Sequence, residues 1–161
     1  MAVPCTEHLF LTGEKGVGKS TLVQFLLRGR RPCGFQTRRV TGVLERPSVH
    51  LLSASGGQPT AENLLFYCGA YTSERFDTLG VAALQDRSGE VLLMDELGPA
   101  ESEAKTFTAA VLAALDGDLP VLGVLQRADT DFLRAVAAHP RVRVVTVTRD
   151  NRDTLRETLR F

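Results

Sequence analysis

The chain has 161 residues and balances 19 Lys+Arg against 19 Asp+Glu. Its length suits one domain, expected over residues 1–161, with room for a sizeable core, and its neutral charge argues against nucleic acid or an anionic membrane as partner. Cys5, Cys33 and Cys68 form neither a zinc-binding spacing nor a disulfide framework. Residues 1–10 lack a basic secretory start, and no apolar run approaches membrane-spanning length, so a cytoplasmic protein with no membrane contact is expected.

His8–Thr12 is mostly apolar and reads as a strand. It runs into Gly13-Glu14-Lys15-Gly16-Val17-Gly18-Lys19-Ser20-Thr21, which fits the phosphate-binding pattern G-x-x-x-x-G-K-[ST]. Average residue usage would produce that pattern by chance in about one chain in 200 of this size. Leu22–Leu27 continues as a helix with an apolar stripe, expected to end near Arg30 before Pro32. Strand, glycine turn and helix aim unpaired backbone N–H groups and the positive helix end at a phosphate. The arginines at 28, 30 and 31 suit the opposite helix end.

Gly34–Thr37, Val40–Leu44 and Val49–Leu52 are short extended pieces, with turns at Pro47 and Gly56-Gly57. With Leu64–Tyr67 as a last strand they form a small β-rich excursion after the first helix. Ser73 suits the N-cap of a short helix through Leu79, Gly80 is expected to break it, and Val81–Gln85 gives another helical turn. Thereafter strands and helices alternate: Val91–Met94 ending in Asp95-Glu96, a helix over 101–115, a strand Val121–Leu125, a helix Thr130–Ala138, a strand Val142–Val147 and a helix Asn151–Arg160. This alternation predicts an α/β fold, a mostly parallel sheet with helices on both faces in three layers.

In such a loop each residue type has a task. Gly13, Gly16 and Gly18 let the backbone wrap phosphate oxygens, and Glu14, Lys15 and Val17 complete the cradle. Lys19 places a compact charge between the β- and γ-phosphates, Ser20 supplies a hydroxyl to Mg²⁺, and Thr21 lies near the α-phosphate. Asp95, at the carboxyl end of a buried strand, faces the ligand crevice and is the second expected Mg²⁺ ligand. Glu96 is expected to orient the attacking water. Arg127, just past Val121–Leu125, ranks first among the arginines that would stabilise transferring charge, ahead of Arg38, Arg39 and Arg152. Asp95-Glu96-Leu97-Gly98 also fits the D-x-x-G of GTPases, and Gln126-Arg127-Ala128-Asp129 stands where a base-reading N-K-x-D would be. Both diagnostic residues of the latter are substituted, and Asp129 also suits a cap for the helix starting at Thr130.

Taken together, these residues resemble the small P-loop nucleoside-triphosphatase family that includes the thermophile NTPases and the cancer-related nucleoside triphosphatase. The resemblance runs through Gly13–Thr21, Gly34–Thr37, Tyr71-Thr72-Ser73 with Phe76, Asp95–Gly98 with Glu101, and Val147-Thr148 with Asn151-Arg152-Asp153. It implies a P-loop α/β fold and slow, Mg²⁺-dependent hydrolysis of several nucleoside triphosphates to the diphosphate and phosphate. It also implies that Asp95, Glu96 and Gly98 contact the nucleotide or its metal, and that Arg152 lies near the site. Pro99 and Ala100 stand where the family carries a basic residue and a methionine, and Arg46–Glu62 is divergent and short. Alternatives are a P-loop kinase, with Arg38-Arg39 and the loop near Gly56 as its lid, and a GTPase-like module whose bound nucleotide is read by a partner.

Overall fold

The computed structural model describes residues 7–70 and 72–161; Cys5 and Tyr71 lie outside them. In chain order the elements are β1 His8–Thr12, α1 Lys19–Leu26, β2 Pro32–Val40, β3 Ser48–Ser53 and β4 Leu64–Tyr67. There follow α2 Val81–Gln85, β5 Val91–Leu97, α3 Lys105–Leu115, β6 Val121–Leu125, α4 Asp131–Ala137, β7 Val142–Thr146 and α5 Arg152–Thr158.

All seven strands join one sheet in the order β4-β3-β2-β5-β6-β1-β7. From β2 to β7 neighbouring strands are parallel, and β3 and β4 extend the sheet antiparallel. The expected β-rich excursion is therefore a continuation of the main sheet. β6 separates the loop strand β1 from the acidic strand β5.

Side-chain alternation sorts the core into two layers. Leu9 and Leu11 of β1, with Val91 and Leu93 of β5, pack on Leu22, Val23 and Leu27 of the first helical segment and on Leu159. Phe10, Leu92 and Met94 point the other way, toward Leu84, Phe107, Val111, Phe132 and Val136. There the rings of Phe35 and Phe107 lie 5.8 Å apart and those of Phe76 and Phe107 5.4 Å apart. Burying each such side chain contributes roughly 1.5–3 kcal/mol. The ring of Phe10 lies against Gly123 of β6, in space that a Cβ at that position would occupy.

Several expected boundaries move. α1 stops at Leu26, four residues before Arg30, because Gly29 adopts φ 77°. Gly34–Thr37 and Val40 belong to one nine-residue strand, β2, whereas residues 41–46 form bends, so Val40–Leu44 is not a strand. Gly80 does not break a helix: residues 74–85 are helical throughout, with a π-type turn over Phe76–Gly80. A glycine is needed there for space, since a Cβ would lie 2.5 Å from the Phe107 ring. α4 begins at Asp131 and is capped by Thr130, whose Oγ1 accepts from Leu133 N–H at 3.2 Å. Asp129 is thus not the cap; its carboxylate pairs with Arg134.

Candidate active site

The glycine loop leaves the carboxyl end of β1 held on two sides. Val17 is buried in the α1 layer beneath it, and Val147 N–H donates to Thr12 O at 2.7 Å, bringing the end of β7 against Gly13. Gly18 is the N-cap of α1 at φ 106°, a left-handed conformation that glycine tolerates. It carries no side chain to occupy the first N–H groups of the helix, which stay available to an anion. The Lys19 ammonium donates back to the carbonyls of Gly13 and Glu14 and so spans the loop. Glu14, Lys15, Gly16, Ser20 and Thr21 are exposed on the rim.

Opposite stands the end of β5. Val91 and Leu93 face the α1 layer, so alternation puts Asp95 on the same face as the loop. Burial pushes the Asp95 carboxyl up to about 6, the adjacent Glu96 charge adds to that, and Lys19 opposes it. Asp95 is therefore close enough to Lys19 to feel its charge. Among the described residues no donor bonds its carboxylate. The β5–β6 register shifts between Asp95 and Leu97, which leaves Glu96 at an irregular point of the ladder. One oxygen of Glu96 accepts from Gln126 Nε2 at 2.7 Å.

Past β5 a short 3-10 turn, Pro99–Glu101, folds the chain under the site. Glu101 is 3 % exposed, and its Oε2 accepts from Gly98 N–H at 2.7 Å. Burial pushes this carboxyl up to about 8, against the backbone bonds that favour its charged form. Pro99 and Ala100 fill the first two positions of the turn.

Four arginines expected near the site occupy different places. The stem of Arg152 covers Gly18, its Cδ 3.2 Å from where a Cβ would be. It is set there by a reciprocal turn in which Thr148 N–H donates to Asn151 Oδ1 at 2.7 Å and Asn151 N–H to Thr148 Oγ1 at 3.1 Å. Arg127 is 58 % exposed and faces Glu14 across the loop, Nη1 to Oε1 3.8 Å. Arg38 pairs with His50 in the β2–β3 ribbon; β2 meets β5 only as far as Gln36 opposite Asp95, so Arg38 and Arg39 project beyond that level. A cleft of about 500 Å³ opens on the other face of the sheet, lined by Thr12, Gln126, Arg127, Asp129 and Arg134.

Glu101 and Gln126 are functional candidates that residue types alone missed. Gln126 was visible only as a degraded base-reading motif. The signal that could have exposed it is its place at the tip of a parallel strand next to β5, where ligand-side residues converge.

A loop of this kind on β1, facing a carboxylate pair on a parallel strand one place removed, defines an α/β P-loop protein that handles nucleoside triphosphates. The NTPase family model matches residues 8–159, and the chain belongs to that family of triphosphate-hydrolysing enzymes. It is 30 % identical over 168 residues to the nucleoside-triphosphatase THEP1 of Thermofilum pendens, covering 92 % of this chain and 91 % of the relative. To the cancer-related nucleoside-triphosphatase homolog of Mus musculus it is 28 % identical, covering 93 % of each. The solution structure of a human cancer-related nucleoside triphosphatase superposes with a TM-score of 0.67 at 25 % identity, over 94 % of each chain. The crystal structure of THEP1 from Aquifex aeolicus shares the fold with a TM-score of 0.70 at 23 % identity, over 94 % of this chain and 95 % of that one.

Proposed function

We propose that this enzyme hydrolyses nucleoside 5′-triphosphates, ATP and GTP among them, to the diphosphate and phosphate, slowly, with Mg²⁺ and with little base preference. The observation that carries the reading is the placement of Lys19 and Asp95 on one face of the sheet, close enough for the Lys19 charge to act on Asp95, with Glu96 the next residue at the same strand end. The loop amides and Lys19 bind the phosphates. Arg152, across Gly18, lies beside the nucleotide end of the loop, and Arg127 neutralises charge on the transferred group. The oxygens of Ser20 and Asp95 suit a hard cation that keeps much of its water and takes its remaining ligands from phosphate, and the unbonded Asp95 carboxylate is free to serve. Bound there, Mg²⁺ would supply charge neutralisation on the β- and γ-oxygens. Glu96 holds water in line, so that the water oxygen bonds to the γ-phosphorus as the bridge to the β-phosphate breaks. Asp129, tied to Arg134, is not presented as a guanine reader, which favours broad base tolerance. A cytoplasmic location is part of this proposal, since such substrates are abundant there; no helix among the described residues is long and apolar enough to cross a membrane.

The test is phosphate release from ATP, GTP, CTP and UTP, with and without Mg²⁺ and with added nucleosides. Release of free phosphate from all four, only with Mg²⁺, is expected; a phosphorylated nucleoside would make it a kinase instead. Lys19→Ala should weaken binding of a non-hydrolysable triphosphate by roughly 10- to 100-fold, the worth of a charge-assisted contact. Glu96→Gln should bind normally and lose turnover. Normal turnover by Glu96→Gln would remove the water-positioning role.

A further inference from the structure

Gln126 closes the tip of β6, between the loop strand and the carboxylate strand. Its backbone N–H donates to Leu97 O at 2.8 Å, which carries the β5–β6 ladder past the register shift. Its side chain lies against Gly98, where a Cβ would come within 2.6 Å of the amide. Gly98 is in turn held from beneath by Glu101. Its Nε2 therefore reaches Glu96 Oε1 at 2.7 Å from an anchored position. A carboxylate only accepts, so the amide must turn its nitrogen toward Glu96, and a neutral donor engages one oxygen while leaving the other free. Glu96 stands where the ladder is irregular, so backbone pairing alone does not fix its side-chain direction.

We infer that Gln126 is a positioning residue for hydrolysis, orienting Glu96 so that its second oxygen faces the attacking water. This inference rests on the water-holding role proposed for Glu96. Among the described residues Gln126 has no hydrogen bond to the loop, so its removal should leave nucleotide affinity intact and act on turnover alone. Misplacement of a reacting group by about 1 Å can cost on the order of 100-fold.

The experiment is a double-mutant cycle with Gln126→Met, which keeps length but removes the donor, and Glu96→Gln. Affinity for a non-hydrolysable triphosphate and kcat are measured separately. Gln126→Met is expected to lower kcat by roughly 10- to 100-fold at unchanged affinity, and to cause no further loss in the Glu96→Gln background. Gln126→His, which retains a ring N–H donor, should recover part of the rate. If Glu96→Gln abolishes turnover while Gln126→Met turns over normally, or if the two losses multiply, Gln126 does not act through Glu96 and the inference falls. Normal turnover by Glu96→Gln alone would instead overturn the underlying reading. A fall in affinity or melting temperature for Gln126→Met that accounts for its rate loss, with no recovery by histidine, would make the residue structural.

Discussion

Glu101 carries a carboxyl group in surroundings that favour its neutral form. Its ordinary value in the unfolded chain is 4.5, and burial in the folded protein pushes it up to about 8. Below pH 4.5 both states hold the proton and its contribution to stability is fully present. Between the two values the unfolded chain sheds the proton while the native one keeps it, so stability is lost as pH rises through about 8. Urea unfolding at pH 5, 7 and 9 should show this decline. Glu101→Gln, which still offers an oxygen to Gly98 N–H, should flatten it and be the more stable form relative to wild type at pH 9. An equal slope in both proteins would assign the decline to other groups. The loop was legible from its fixed spacing, and Asp95-Glu96 from their place at the end of a continuous apolar run. Glu101 and Gln126 were not legible in that way: their roles come from burial and from a neighbour in the sheet, neither of which a linear pattern displays.

At the scale of elements, Asp77 and Gly80 join the Phe76 ring in tying the helical run over residues 74–85 to α3. Ala104, the N-cap residue of α3, gives it no side-chain cap. Asp77 serves instead, its Oδ1 accepting from Phe107 N–H at 2.8 Å although it lies 30 residues away in a different element. Asp77→Ala should therefore destabilise the fold by about 1 kcal/mol, as loss of a cap does. Gly80→Ala should cost more, roughly 1–3 kcal/mol, by driving a methyl into the Phe107 ring; thermal unfolding checks both. This also explains what the sequence pattern misjudged. Gly80 was read by local turn chemistry and residues 40–44 as an extended piece, whereas tertiary packing decided both: a ring needed the space at Gly80, and pairing with β3 carries β2 through Val40 and no further. The buried strands β5 and β6 were legible because two covered faces require continuous apolar runs, and helix ends moved by only a few residues because caps are set by single side chains.

For the whole molecule, the site is assembled across the sheet from segments far apart in the chain: residues 13–21, 95–98, 126–127 and 152. Adjacent strands lie about 4.8 Å apart, so β6 holds the loop strand and the carboxylate strand at roughly twice that spacing, which suits a phosphate and a metal between them. That spacing depends on how β1 and β6 fit. Gly123→Ala should destabilise by roughly 1–3 kcal/mol through overpacking against Phe10. Combining it with Phe10→Leu should restore part of the loss, so that the pair is less harmful than the sum of the single changes; strictly additive losses in urea unfolding would show that the two positions are independent. The contact between that ring and the bare backbone opposite therefore makes positions 10 and 123 heritable only as a pair. A lineage of this enzyme that acquires a bulkier residue at one must trim the other, and engineering that grafts β6 without β1 would carry half of a matched set.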